Sequence, residues 1–517
     1  MSRDGSARLD RSTLDRVPAE CRRHTAGAGL ATGIVHLGVG AFHRAHQAVF
    51  TEDAIAAAGG DWGIAGVAPR SRQILDLLAA QDRLFSVTSL SASSAEARVV
   101  GVLAALLHAP SDPLAVVERI ADPGTRIVTL TVTEKGYRLD PVRGGPRADD
   151  PELAADLAGE RPPVTVPGML VAGLVRRALA DGPPLAVLSC DNLSRNGRRL
   201  AQVVDGALER LPAALAPRVR AWVDAGVAFP CSMVDRVVPA PSEATRARAA
   251  RALGVADLAA LEAEPFQQWV VQDTFPAGRP AWELAGAELV DDVTAWEELK
   301  LRVLNGMHST IAYLGALAGR DTIERALGLP GMRELLWRLL LEDIVPTLEP
   351  PPGVDPVRYG ESVLERFANP MVVHRTMQVA MDGSQKLPQR LLPVVAERLR
   401  AGGEPRWAAL SLAAWMRFAA GRADDGSPLT LDDPLAERIA GALQAAGGGQ
   451  GAVAERLLGL RQIFGEELGA SAVLRALVTE WLEVLESDGV AGALASLERG
   501  DRGARRAVRG AGVGGAP

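Results

Sequence analysis

Lysine is almost missing from this 517-residue chain: Lys135, Lys300 and Lys386 are the whole set, against 53 arginines. Asparagine is nearly as scarce, with Asn192, Asn196, Asn305 and Asn369. The three cysteines, Cys21, Cys190 and Cys231, are too few and too scattered for a disulfide framework or a structural zinc site. No apolar run reaches the ~18 residues of a membrane span, and residues 1–11 are polar, without the apolar stretch of a secretory signal. Net charge is −7, and no basic patch carries interleaved aromatics, which argues against nucleic acid as a partner. The expectation is a soluble cytoplasmic protein with neither a membrane nor a nucleic acid among its partners. What is present, 48% hydrophobic and 23% charged residues, fits an ordinary globular chain of two to four domains.

A codon bias that replaces lysine wherever arginine serves would account for the scarcity. It does not account for where the survivors stand. Arginine stays protonated, whereas lysine gives up its proton when burial lowers its pKa, so a chain that swaps lysine out elsewhere keeps it where a titratable amine is needed. The three lie in Thr133-Glu134-Lys135-Gly136-Tyr137, Glu297-Glu298-Leu299-Lys300 and Asp382-Gly383-Ser384-Gln385-Lys386. At least one of them is expected to be catalytic.

The first half alternates strand-like and helix-like segments. Strands are expected over 33–40, 62–69, 84–91, 97–106, 126–133 and 184–190, and helices over 45–58, 71–81, 112–122 and 166–181. Strands separated by helical patterns of this length predict βαβ units and a largely parallel sheet. After about residue 295 the texture changes to leucine- and alanine-rich helical patterns, at 297–317, 331–341, 388–401, 407–418 and 470–485. The fold class is therefore α/β plus all-α: one domain over 1–295, a mainly helical one over 296–498 with a surface loop at 447–451, and a Gly- and Arg-rich tail, 499–517, without fixed structure.

The first strand runs into Gly38-Val39-Gly40-Ala41-Phe42-His43-Arg44-Ala45-His46-Gln47. Two glycines at a strand-to-helix turn let the backbone approach a pyrophosphate, whose charge the helix N-terminus favours. The usual third glycine is replaced by His43, so spacing alone would fit a structural turn equally well; the strand, turn, helix, strand context favours a Rossmann-like dinucleotide site. The second strand ends in Val67-Ala68-Pro69-Arg70-Ser71-Arg72, without the acid that binds the ribose of NAD. A basic pair there tolerates a 2′-phosphate, or is simply a solvated helix start; NAD and NADP both stay open. On an α-helix at 100° per residue, Glu297, Lys300, Leu304 and His308 fall within about 80° of one another, with Asn305 about 60° beyond. A wet amphipathic face would more readily carry Arg or Glu than Lys, Asn and His together. Ser189-Cys190-Asp191-Asn192 closes a strand of the parallel sheet, at the end where ligands bind. Asn192 could instead cap the next helix, as Asn196 resembles a capping residue, and Asp235 in Met233-Val234-Asp235-Arg236 could pair only with Arg236.

Together these pieces resemble the long-chain polyol dehydrogenase family, from about residue 34 to 391, through the Gly38–His46 turn, Thr133–Tyr137, Cys190-Asp191-Asn192, Met233–Arg236, the Lys300/Asn305/His308 helix and Asp382-Gly383-Ser384-Gln385-Lys386. The resemblance implies metal-independent hydride transfer between a ketose and a polyol, usually with NAD. It implies Lys300 as base for the alcohol and, as ammonium, acid for the ketone, which requires a pKa below the ordinary ~10.4. Asn192 and Asn305 would donate hydrogen bonds to the oxygen as it gains charge, His308 would orient the polyol, and Glu297 would relay the proton to solvent, with Glu134 in a similar role. Asp235 and Lys386 would contact the substrate, and Gly38, Gly40, Phe42, His43, Arg44 and Arg70 the cofactor.

Where the family's mannitol branch has an arginine, eight residues before the last lysine, this chain has Gln378. The surrounding segment looks more like the fructuronate branch, and Arg375, planar and bidentate, could hold a uronate carboxylate. The expected pair is D-fructuronate and D-mannonate, with fructose and mannitol second, in a monomer or homodimer. Zinc-dependent alcohol dehydrogenases need a cysteine–histidine ligand set, and short-chain dehydrogenases a Tyr-x-x-x-Lys pair; neither is present. A non-catalytic dinucleotide sensor would not need a titratable lysine beside Asn305 and His308.

Overall fold

A computed structural model describes residues 7–22, 29–140, 145–147 and 149–510. The chain divides into two compact units, Met1–Thr294 and Ala295–Pro517. The first contains β1 (Thr32–Leu37), β2 (Gly63–Ala68), β3 (Phe85–Leu90), β4 (Ala95–Val100), β5 (Leu103–His108), β6 (Ile127–Leu130), β7 (Leu185–Ser189), β8 (Val227–Ala228), β9 (Ser232–Asp235), β10 (Leu261–Ala263), β11 (Gln268–Gln272) and β12 (Glu288–Val290). Six strands form one parallel sheet in the order β5-β2-β1-β6-β7-β8. That is the doubly wound order in which the chain starts mid-sheet, builds outward, then returns to the other side of β1. The switch point lies between β1 and β6, and the carboxyl ends of those strands are where a ligand crevice forms.

The parallel sheet is covered on both faces, as its near-continuous apolar strands require. Val35 and Leu37 of β1 join a core with the helices Pro113–Ala121, Val166–Leu179 and Asn196–Leu208, whereas Ile34 joins the core that holds Phe50, Trp269 and Trp282. The remaining strands make two small sheets, β10-β3-β4 and β12-β11-β9.

Several expected elements differ: the helix expected over 331–341 turns π-helical from Leu339, that over 388–401 is split at Leu391, and three further differences bear on the site. The single strand expected over 97–106 is two: β4 pairs antiparallel with β3, while β5 joins the large sheet beside β2. The break falls at Gly101, whose N–H donates to the buried Glu52 at 2.7 Å. The helix expected from 45 begins earlier, as Ala41–Ala45, and breaks at His46 before Gln47–Ala58. His46 sits at φ −130°, with Nε2 bonded to Gln268 O at 2.9 Å. The third difference is in the second unit. The helix expected over 297–317 is α-helical over Thr294–Leu299, π-helical over Lys300–Asn305, and α-helical again over Gly306–Leu317.

That last segment is the buried axis of the second unit. Met307, Ile311 and Leu314 are fully buried and belong to one core with Trp415 of Arg406–Ala419 and Trp481 of the C-terminal helical segment Ala472–Gly510, which is kinked at Gly489. Helical backbone in that helix extends through Gly510, so of the tail expected from 499 only 511–517 lies wholly outside the described residues, as do the side chains of 498–510 and of Glu134. No described helix is long and apolar enough to cross a membrane.

Candidate active site

Gly38 and Gly40 look alike in the sequence and differ in the structure. Gly38 has φ +109°, and a Cβ there would stand 2.1 Å from Thr131 O, so both conformation and space demand glycine. The N–H groups of Gly38 and Val39 both donate to Val67 O, at 2.9 and 3.1 Å, which fastens the turn to the end of β2. Gly40 has φ −81°, open to any residue, and an added Cβ would meet only Gly38 O at 3.7 Å. The fold does not need glycine there, whereas the close approach of a pyrophosphate would. The turn thus fits the dinucleotide that the sequence implies.

His43 stands where the third glycine would let helix and strand pack closely. It keeps the packing by lying flat on His36 of β1, ring centroids 3.3 Å apart and 11° from parallel. Both rings are buried. His36 is fixed by Thr129 at 2.7 Å and Thr131 at 2.8 Å, while His43 has the Gln47 side chain as its polar neighbour. Burial lowers His36 to about 3 and holds His43 well below the ordinary imidazole range, so both are neutral. Arg44 is also buried, donates to Ala259 O at 2.6 Å and lies over the Phe85 ring. The burial of His43 and Arg44 supports the turn from within. Phe42 stacks on His46 at 5.1 Å. Arg70 is exposed, and its carbonyl accepts from His108 at 3.0 Å.

At the carboxyl edge of β6 and β7, Asp191 organises the loop that carries the first lysine. Its carboxylate accepts the N–H of Val132 at 2.9 Å and of Thr133 at 3.1 Å, and the Tyr137 hydroxyl at 2.7 Å. Thr133 adopts φ +63°, a conformation that non-glycine residues take only when their surroundings impose it. Burial pushes Asp191 up, opposed by these three donors, and pushes Tyr137 up as well. Asn192, next in the chain, is exposed. Asn196 caps no helix: Arg195 holds the N-cap position, and Asn196 clamps β7 to β9 by donating to Ser189 O and Ser232 O and accepting from Ser232 N. Asp235 is buried at the end of β9. Arg236 donates to Glu264 O, Gln267 and Ser89.

In the second unit, Glu297, Lys300 and Asn305 are each less than a tenth exposed. The π-helical stretch, in which Gly306 N–H donates to Leu301 O five residues back, changes their alignment. Residues five apart stand closer to one turn apart in such a stretch, so Asn305 lies nearer the Lys300 face than α-helical spacing predicts. His308 follows on the next α turn. It is stacked on Phe367 at 4.7 Å and faces His374 at 5.3 Å, and its buried Nε2 has no hydrogen-bond partner among the described residues. Burial, together with His374, Arg390, Lys386 and Arg366, holds it well below the ordinary range. His374 is itself lowered to about 4 by burial and Arg366.

The Asp382-Gly383-Ser384 part of the last motif is fixed by the fold. Asp382 takes φ +55°, a Cβ on Gly383 would strike Trp415 at 2.4 Å, and Ser384 binds Asp433 through both N and Oγ. This turn starts the helix Gly383–Arg390, which presents Lys386, bonded to Val379 O at 3.1 Å, and Arg390, bonded to Ser309 at 2.9 Å. Arg375 and Gln378 are exposed on or beside the short helix Thr376–Ala380. Sequence reasoning did not single out Asp191 for itself, nor Arg366 and Arg390, which are lost among so many arginines.

Residues 32–284 match the Mannitol dehydrogenase Rossmann domain and residues 292–485 the Mannitol dehydrogenase C-terminal domain. The chain is 42% identical over 454 residues to "Uncharacterized oxidoreductase YdfI" of Escherichia coli (strain K12), covering 87% of this chain and 92% of that one. It is 39% identical over 475 residues to the D-mannonate oxidoreductase of the same organism, covering 90% and 96%. Among solved structures, the Pseudomonas fluorescens mannitol 2-dehydrogenase in ternary complex with NAD and D-mannitol superposes with TM-score 0.85 at 35% identity, over 95% of this chain and 99% of that one.

Proposed function

The chain belongs to the mannitol dehydrogenase family, and from that premise we propose an NAD-dependent secondary-alcohol dehydrogenase that interconverts D-fructuronate and D-mannonate. The observation that carries the substrate choice is the set of cations around His308. Lys386, Arg390 and Arg366 all bear on it electrostatically, while His374, lowered to about 4, is neutral. A neutral polyol gains little from such a field, whereas a carboxylate is attracted and can be held bidentately by arginine. Arg375, chain neighbour of His374, adds an exposed cation. The relative named D-mannonate oxidoreductase supports this reading. The fold shared with a mannitol 2-dehydrogenase supports fructose and mannitol as the second reading.

The roles follow from residue chemistry. When bound, the nicotinamide takes or gives the hydride. Gly38 and Gly40 let the backbone of the first unit hold its pyrophosphate. Lys300 takes the hydroxyl proton in alcohol oxidation and returns it in ketone reduction, with Glu297 passing that proton to solvent. Asn305 donates a hydrogen bond to the oxygen as it becomes negative. The unsatisfied Nε2 of neutral His308 takes a substrate hydroxyl, and Lys386 contacts the rest of the sugar acid. The test is reduction of D-fructuronate and of D-fructose with NADH. A kcat/KM at least tenfold higher for fructuronate is expected; a preference for fructose would transfer the chain to the second reading.

A further inference from the structure

Beside Gly40 the first unit holds a cavity of about 410 Å³, walled by Gly40 and Ala41 of the turn, Gln73 and Ile74 of the helix after β2, and Arg44 and Arg246. No acidic side chain lines it. The two arginines are differently committed. Arg44 is buried and spends its guanidinium on Ala259 O. Arg246, on the helix Glu243–Leu253, is exposed and makes no ion pair among the described residues. Two residues on, Arg248 pairs with Glu262 at 2.8 Å, so of the helix's three arginines Arg246 and Arg251 make no ion pair among the described residues, and of these Arg246 lines the cavity. The helix's own N-terminus is already closed by the Ser242/Thr245 capping box.

The adjoining end of β2 shows the same imbalance. An NAD-selective site places a carboxylate there for the ribose 2′-hydroxyl. Here the strand is followed by Pro69-Arg70-Ser71-Arg72. Arg72 pairs with Asp76 at 2.9 Å, whereas Arg70 is exposed and makes no ion pair among the described residues. A phosphate monoester carries between one and two negative charges at neutral pH, which Arg246 and Arg44 would attract in a wall whose other members are Gln73, Gly40 and apolar residues.

We propose that this cavity receives the 2′-phosphate of NADP, with Arg246 as its counter-charge and Arg70, three residues before the lining Gln73, outside the wall, so that the dinucleotide site accepts NADPH as well as NADH. The inference rests on the dinucleotide reading given above, and it makes Arg246 a specificity-determining residue. Calorimetric titration of the full-length protein with NADH, NADPH, 5′-AMP and 2′,5′-ADP tests it without turnover. Wild type is expected to bind 2′,5′-ADP at least tenfold more tightly than 5′-AMP. Arg246→Ala is expected to reduce that ratio at least fivefold, Arg70→Ala to reduce it less, and Arg246→Lys to restore part of it. If wild type binds NADH but prefers 5′-AMP, or if the ratio does not move in Arg246→Ala, the inference is overturned and the dinucleotide reading stands. If neither NADH nor NADPH binds, the dinucleotide reading fails and takes the inference with it.

Discussion

The Tyr137 hydroxyl donates to Asp191 across 2.7 Å, and the same carboxylate holds the N–H groups of Val132 and Thr133. One side chain at the end of β7 thereby fixes the loop after β6, including a threonine in a left-handed conformation. Holding a non-glycine residue there costs of order 1–3 kcal/mol, which three hydrogen bonds to a charged acceptor can offset. Asp191 is thus a positioning residue for the edge of the sheet where the cofactor is proposed to lie.

Asp191→Asn keeps the size and removes the charge, leaving one acceptor oxygen for three donors. A weakening of NADH binding by about tenfold is expected, from loss of roughly 1.4 kcal/mol, with KM for NADH rising more than kcat falls. Titration and steady-state kinetics on the variant check this. A variant that melts earlier yet keeps wild-type NADH affinity would assign Asp191 to stability alone.

The two glycines of the turn separate fold from ligand. Gly38→Ala must place its Cβ against Thr131 O at an unfavourable φ, and is expected to cost roughly 2–4 kcal/mol of unfolding free energy. Gly40→Ala has room and an ordinary φ, so its unfolding free energy should stay within about 0.5 kcal/mol of wild type, while NADH affinity falls tenfold or more. Denaturant unfolding and NADH titration of both variants decide it, and a Gly40→Ala protein that binds NADH normally would contradict the proposed pyrophosphate contact.

The stacked His36 and His43 set an acid limit. Their folded values are lowered, so below the ordinary ~6.5 the unfolded chain binds more protons and stability falls as pH drops. Each such histidine withdraws about 1.4 kcal/mol between pH 7.5 and 5.5. His43→Phe, which can keep the stack on His36, should lose about that much less over the same interval. Urea unfolding at the two pH values measures it, and an unchanged pH dependence would mean that His43 is not held neutral.

The two-unit architecture, the parallel sheet and the turn at Gly38 were legible because periodicity and strand ends are local signals. Three features were not. Val99-Val100-Gly101-Val102-Leu103 is a continuous apolar run, and nothing in it says that β4 and β5 belong to different sheets. The π-helical stretch at Lys300–Asn305 leaves the residue pattern intact while changing which side chains align, so a helical wheel drawn at α spacing put Asn305 too far from Lys300. The place of His43 depends on His36, which lies in another element and offers its ring only once the sheet has formed. For the same reason Arg366 and Arg390, which bear on His308 from two separate helices, could not be picked out from 53 arginines.

The central claim is that Lys300 moves the proton of the substrate hydroxyl, and it is tested most directly by the turnover of Lys300→Ala on D-fructuronate with NADH, beside an NADH titration of the same protein. The account predicts kcat lower by about 10²–10⁴-fold with NADH still bound. Undiminished turnover in that variant would contradict it.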